Sequence, residues 1–124
     1  MKYQVRNYLI ELASKGKTVN YQKLSDDCHL GLDMQASQYD RTETGKILGE
    51  ISRFEHDNGR PLISSIVITK GSGYEGDGFY KLAQDLGFGP WKTLRDSAFD
   101  IEQMTKCFEY WRNTENYNSH RNSN

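Results

Sequence analysis

The sequence predicts an α+β fold, mainly α, on three observations. Apolar residues recur at helical spacing in separate segments along the chain. A single run, "LISSIVIT" at 62–69, is rich in β-branched residues and reads as a strand. Glycines fall where the periodic segments stop, as helix ends require. At 124 residues the chain fits one domain with a modest core.

The first helix carries Val5, Tyr8, Leu9, Leu12 and Ala13 on one face and stops at Gly16. A short extended piece at Thr18 and Val19 leads to a second helix capped by Asn20. That helix buries Leu24 and Cys28 and ends at Gly31. Residues 31–39 form a polar connection without periodicity. Asp40 and Glu43 have capping-box spacing for a third helix over 41–57, with Ile47, Leu48, Ile51 and Phe54 inside and Gly59 as its stop. Lys46, Glu50, Arg53 and His56 lie on its wet side. Arg60 pairs with Glu50 or Glu55 at the entrance to the strand, which begins after Pro61.

Beyond a glycine-rich loop at 70–78, Phe79, Leu82, Ala83 and Leu86 return to helical spacing, with Asp77 as cap and Gly87 as stop. A final helix starts near Asp100, where Asp100 and Gln103 repeat the capping-box spacing. Its expected apolar side is Ile101, Met104, Phe108 and Trp111. Helix, helix, longer third helix, strand and loop is the order of a winged-helix or helix-turn-helix domain. The expected organisation is a winged-helix-like domain at 1–87, a helical extension packed on it at 88–113, and a disordered tail at 114–124.

Composition narrows the function classes. No apolar run approaches the roughly 20 residues that cross a bilayer, and the N-terminal segment reads as a helix rather than a signal peptide. Cys28 and Cys107 could pair, but one cysteine in each half of an untargeted chain reads as two reduced thiols. A cytoplasmic location is the corresponding expectation. The net charge of −1 argues against strong nonspecific binding to DNA, although residues 1–24 carry Lys2, Arg6, Lys15, Lys17 and Lys23 against Glu11 alone.

Several motifs bear on chemistry. The loop "KGSGYEGDG" lacks the Gly-Lys-Ser/Thr ending of a phosphate-binding loop, and Glu75 and Asp77 would repel phosphate. It reads first as a turn; anion binding at the amides of Gly78 and Phe79 is secondary. Asp26, Asp27, Glu75 and Asp77 show no spacing that gathers them around a metal, and His29, His56 and His120 have no ligand spacing. No metal, cofactor or catalytic residue is therefore expected. Trp91 and Trp111 flank the C-terminal extension, whose last helix can pack on the domain or on a second copy in a homodimer.

"GKTVNYQKLS" at 16–25 resembles the start of the DNA-binding domain of the alkylguanine alkyltransferases and their alkyltransferase-like relatives, which typically have Gly-(x)-Thr-Val-Ser-Tyr-Gly-Glu-Leu-Ala. The resemblance runs more loosely through "GKILGEI", where that family has an Arg-Ala-Val-Gly recognition helix. It continues to "PLISSIVITKGSGYEGDGFY", where the family has Pro-Cys-His-Arg-Val and a Gly-Gly-Tyr turn; coverage is about residues 5–83. It implies a winged-helix body, with Tyr21 at the DNA-contacting tyrosine and Lys46 on the groove-facing helix. Ser64 or Ser65 replaces the reactive cysteine and no histidine follows, so alkyl transfer is not expected. Lys46 replaces the base-extruding arginine and lacks its planar fork.

These observations give the expectation of a non-enzymatic protein that binds nucleic acid, as duplex DNA, through Lys17, Tyr21, Gln22, Lys23, Arg41, Lys46, Arg53 and Lys70. The alternative is a protein-interaction module, such as an inhibitor, immunity or phage-defence component, on the same fold. The near-neutral charge favours that alternative. Glu43 and Glu50 among Arg41, Lys46 and Arg53 also suit a solvated mixed-charge face.

Overall fold

The structure, a computed structural model, describes residues 1–70 and 75–122. In chain order its elements are α1 (Tyr3–Ser14), β1 (Val19–Asn20), α2 (Tyr21–Asp27), α3 (Gln38–Asp57), a 3₁₀ turn (Ile63–Ile66), β2 (Val67–Ile68), α4 (Asp77–Asp85), α5 (Trp91–Asp96), α6 (Phe99–Arg112) and α7 (Thr114–His120). The fold is mainly helical, with one two-stranded parallel sheet that pairs Val19 with Val67 and Asn20 with Ile68.

The main core joins Val5, Leu9, Ile10 and Ala13 of α1 to Leu24, to Ile47, Leu48 and Ile51 of α3, and to the turn and strand at 63–67. Cys107 and Trp111 of α6 complete it, so α6 belongs to the same core as the segment before residue 87. A smaller cluster packs Leu62, Phe79, Tyr80, Ala83, Leu94 and Phe99 together. Gly16 suits the turn after α1, where its φ of +68° would strain any other residue, and the flexible end of Arg112 from α6 lies against it.

The second helix starts as expected, with the Asn20 side chain accepting from the Lys23 amide at 2.8 Å. The third begins earlier than expected. Ser37, not Asp40, is its cap and accepts from the Asp40 amide at 3.1 Å. Asp40 instead accepts from the Asp33 amide at 2.9 Å and ties down the connection.

The expected strand over 62–69 is strand only at Val67–Ile68. Its preceding backbone is satisfied by side chains rather than by a ladder. Gln103 accepts from the Leu62 amide (3.0 Å), Ser52 accepts from the Ser64 amide (2.9 Å), and Cys107 donates to the Leu62 carbonyl (3.2 Å). With β1 only two residues long, no partner remains to extend the ladder.

Other differences follow from similar competition. Asp77 is the first residue of α4, and Gly76 occupies the cap position. Ala98, in the left-handed region at φ 59°, precedes α6, so Asp100 lies inside that helix. Its buried face is Phe99, Asp100, Gln103, Cys107 and Trp111, while Ile101 is 46% exposed. Gln103 and Cys107 are drawn inward by the Leu62 backbone, which turns Ile101 out. Residues 91–96 form a helix of their own, and 114–120, expected to be disordered, form α7. Gly71, Ser72, Gly73 and Tyr74 of the glycine-rich loop lie outside the described residues.

A buried ion cluster sets the geometry of the whole. Glu55 is fully buried and accepts from Arg6 Nη2 (3.1 Å) and Nε (3.3 Å) on one side, and from Arg60 Nη2 (2.9 Å) and Nε (3.2 Å) on the other. The expected pairing of Arg60 with Glu55 is therefore present; Glu50 instead meets the N-terminal amine at 2.8 Å. Arg6 also donates to the carbonyls of His120 and Arg121, both at 2.9 Å, which holds the end of α7. Phe54 lies under both guanidinium groups, at 5.2 and 5.4 Å.

Removing one partner from such a cluster strands the others in low dielectric. Glu55→Gln should therefore destabilise the fold by about 3–5 kcal/mol. Breaking the exposed Lys106–Glu102 pair with Lys106→Ala should cost under about 0.5 kcal/mol. Urea unfolding of the two variants measures the contrast.

Candidate functional site

A cleft of about 1240 Å³ opens between α2, the connection at 31–35, α3, the end of β2 and the first turn of α4. Its apolar lining is Leu32, Met34, Leu48, Phe79 and Leu82, and Gly45 and Gly49 keep the α3 wall low. Into it come Tyr21, Gln22, Arg41, Lys46 and Lys70, five of the eight residues chosen from the sequence. Lys23 lines a smaller adjoining hollow of about 390 Å³, which shares Asn20, Thr69 and Lys70 with the cleft. Lys17 and Arg53 are exposed and line neither cavity.

The connection between α2 and α3 is held by side chains, of which Gln22 and Arg41 also line the cleft. Gln22 accepts from the Met34 amide (2.9 Å) and donates to the Leu32 carbonyl (3.1 Å). Arg41 donates to the Met34 carbonyl (2.8 Å) and to Gln38 Oε1 (3.0 Å). Ser25 accepts from the Leu32 amide and donates to its carbonyl. The spacing between α2 and α3 is thus fixed by polar contacts, and Gln22 and Arg41 are positioned by them. Lys46 and Lys70 form no ion pair among the described residues, whereas Lys23 meets Asp27 at 3.2 Å.

Acids share the cleft. Asp26, Asp33, Glu75 and Asp77 all line it. Of the four acids considered as metal ligands, Asp26, Glu75 and Asp77 line the cleft without forming a metal-holding group among the described residues, and Asp27 turns away to accept from Tyr8 and pair with Lys23. Those two contacts, Tyr8 first, hold the Asp27 carboxyl below its usual range.

Glu75 is the largest departure from expectation. It is only 8% exposed, and neither carboxyl oxygen has a hydrogen-bond partner among the described residues. Burial first, and the neighbouring Asp100 second, push its pKa up to about 10. The Tyr21 hydroxyl lies near enough to favour the ionised form, but not in hydrogen-bond geometry. Tyr21 is itself half-buried, and burial together with Glu75 raises its pKa. The wall of the cleft at α4 is therefore a neutral carboxyl beside a neutral phenol. Nothing in the sequence marks Glu75, because a glutamate in a glycine-rich loop reads as solvent-exposed.

The serines at the place of the resembled cysteine are engaged elsewhere. Ser64 lines the cleft and bonds Ser52 at 2.7 Å, and Ser65 donates to Cys107 Sγ at 3.5 Å. Burial pushes the Cys107 thiol up to about 12, so it stays protonated. Neither hydroxyl has a basic partner among the described residues to activate it.

The raised pKa of Glu75 makes stability pH-dependent. The folded chain keeps a proton that the unfolded chain releases above its ordinary carboxylate range, so raising the pH favours unfolding. Glu75→Gln removes this linkage. Its stability relative to the unsubstituted chain should rise by on the order of 1–4 kcal/mol between pH 5 and pH 8, as followed by urea midpoints. No protein-family model, curated protein or solved structure matches this chain.

Proposed function

We propose that the protein is a non-enzymatic, winged-helix-like module that binds duplex DNA across the mouth of this cleft. The observation that carries the reading is convergence. Tyr21 and Gln22 of α2, Arg41 and Lys46 of α3, and Lys70 after β2, three separate segments, line one cavity, and Lys23 lines the hollow beside it. Lys46 and Lys70 supply charge to phosphates, and Tyr21 supplies a neutral hydroxyl from the first turn of α2, where Gln22 braces the adjoining connection. Such contacts neutralise phosphates and displace counterions, so binding weakens with salt.

A second reading, docking of a protein partner, draws support from Asp26, Asp33 and Asp77 at the same rim and from the net charge of −1. Acids at the rim repel phosphate and suit a basic or mixed-charge partner.

Fluorescence anisotropy with a labelled duplex tests the first reading. Lys46→Glu and Lys23→Glu should each weaken binding about tenfold at low salt, and each should lower the slope of log affinity against log salt by about one. Lys17→Glu and Arg53→Glu, outside both cavities, should have smaller effects. Salt-insensitive or absent binding by the unsubstituted protein, with recovery of a protein partner in pull-down mass spectrometry, would decide for the second reading.

A further inference from the structure

Trp91 stands at the start of α5, half-buried, its backbone amide donating to Gln84 Oε1 of α4 at 2.8 Å. Three cations surround its indole: Lys81 Nζ at 5.0 Å from the ring centroid, Arg95 Cζ at 5.2 Å and Lys92 Nζ at 5.6 Å. Arg95 is partly neutralised by Asp77 (3.8 Å) and Asp96 (3.4 Å). Lys81 and Lys92 are exposed and form no ion pair among the described residues.

One cation is enough to use the negative face of an indole. Gathering three around one ring adds mutual repulsion, which packing does not require and which a bridging anion would relieve. The ring draws each of these side chains to itself ahead of any ligand, so less rotamer freedom is lost on binding. The patch also adjoins the cleft, because Asp77, which pairs with Arg95, lines the cleft wall. A polyanion crossing the cleft mouth at Lys46 and Lys70 can therefore continue over α4 to α5.

We infer that the Trp91 patch, with Lys81 and Lys92, is a second phosphate-contacting surface that extends the nucleic-acid footprint from the cleft onto α4 and α5. The inference rests on the proposed binding of DNA at the cleft and adds a site to it. Charge complementarity selects the occupant: two lysines without an ion pair among the described residues, at 5.0 and 5.6 Å from one indole, suit a polyanionic backbone.

Tryptophan emission isolates the patch, since Trp111 is only 1% exposed and Trp91 is the accessible indole. A short duplex is titrated into the full chain, and acrylamide quenching is measured beside anisotropy. The expected result is protection of Trp91 from acrylamide by the duplex. In the double variant Lys81→Glu/Lys92→Glu, affinity should fall about tenfold and the salt slope by about two. Trp91→Phe, which keeps a ring, should bind more tightly than Trp91→Ala.

Duplex binding by the double variant at unchanged affinity, with Trp91 still open to acrylamide, would overturn the patch and leave the cleft reading standing. Loss of all duplex binding in the unsubstituted chain would overturn both. Protection of Trp91 by polyglutamate but not by duplex would overturn the nucleic-acid assignment of the patch in favour of an acidic protein partner.

Discussion

Glu55 between Arg6 and Arg60 is the constraint on which the other elements are hung. Two guanidinium groups and one carboxylate, all nearly or fully buried, leave an excess positive charge away from water. Isolated, that excess would be costly. It is answered by the carbonyls of His120 and Arg121, presented by the negative end of α7. The cluster therefore joins α1, the end of α3, the turn at Arg60 and the end of α7 in one arrangement. Its partners are mutually dependent, because each satisfied donor or acceptor leaves the others compensated. The polar tail folds for this reason. α7 buries none of its own residues; the Arg6 bonds and the Tyr117–Glu11 contact hold it in place.

Fixing Arg60 also fixes the segment C-terminal to it. The chain leaves the cluster through Pro61 into Leu62, whose amide and carbonyl are both taken by α6, through Gln103 and Cys107. The 3₁₀ turn then places Ser64 against Ser52 of α3 and hands Val67 to its pairing with Val19. α3, anchored at its far end by Glu55, runs past this turn so that Gly45, Lys46, Leu48 and Gly49 form one wall of the cleft. The site is a by-product of how the ion cluster aims α3 and the turn, and its polar residues need no strained backbone of their own.

The elements most legible in the sequence were those with local causes. Asn20 as cap, the glycine stops at 16 and 59, and the α3 stripe of Ile47, Leu48 and Ile51 all act within a turn or two of their own position. Illegible features had distant causes. Ser37 and Asp40 are equally good caps by type, and the choice between them was made by the Asp33 amide. The β-branched run at 62–69 carries strand propensity, but α3 and α6 supply its hydrogen bonds before a second strand can. The buried face of α6 was rotated by Gln103, a polar residue that periodicity counts as outward. Within the site, Tyr21, Gln22 and Lys46 could be picked from motif and helix face. Burial of Glu75 and the approach of α4 to α5 around Trp91 are tertiary facts with no local signal.

Net charge alone would assign this chain to partners other than polyanions, but the distribution of its acids changes that inference. Glu55 is consumed by two arginines, Glu50 by the N-terminal amine, Asp27 by Tyr8 and Lys23, and Glu102 by Lys106. Burial raises the Glu75 pKa to about 10, which favours its neutral form beside the cleft it lines. Lys46 and Lys70 at the cleft, and Lys81 and Lys92 beside Trp91, form no ion pairs among the described residues. These acids are held in the interior or in local pairs, and the four lysines border the cleft or the Trp91 patch beside it, whereas Lys17 and Arg53 lie outside both cavities. A phosphate approaching that surface meets a field set by its nearest few side chains, since more distant exposed acids are screened beyond about 8–10 Å at ordinary salt. Asp26, Asp33 and Asp77 line the cleft too, and Asp77 pairs with Arg95, so acids stand among these cations on the same surface.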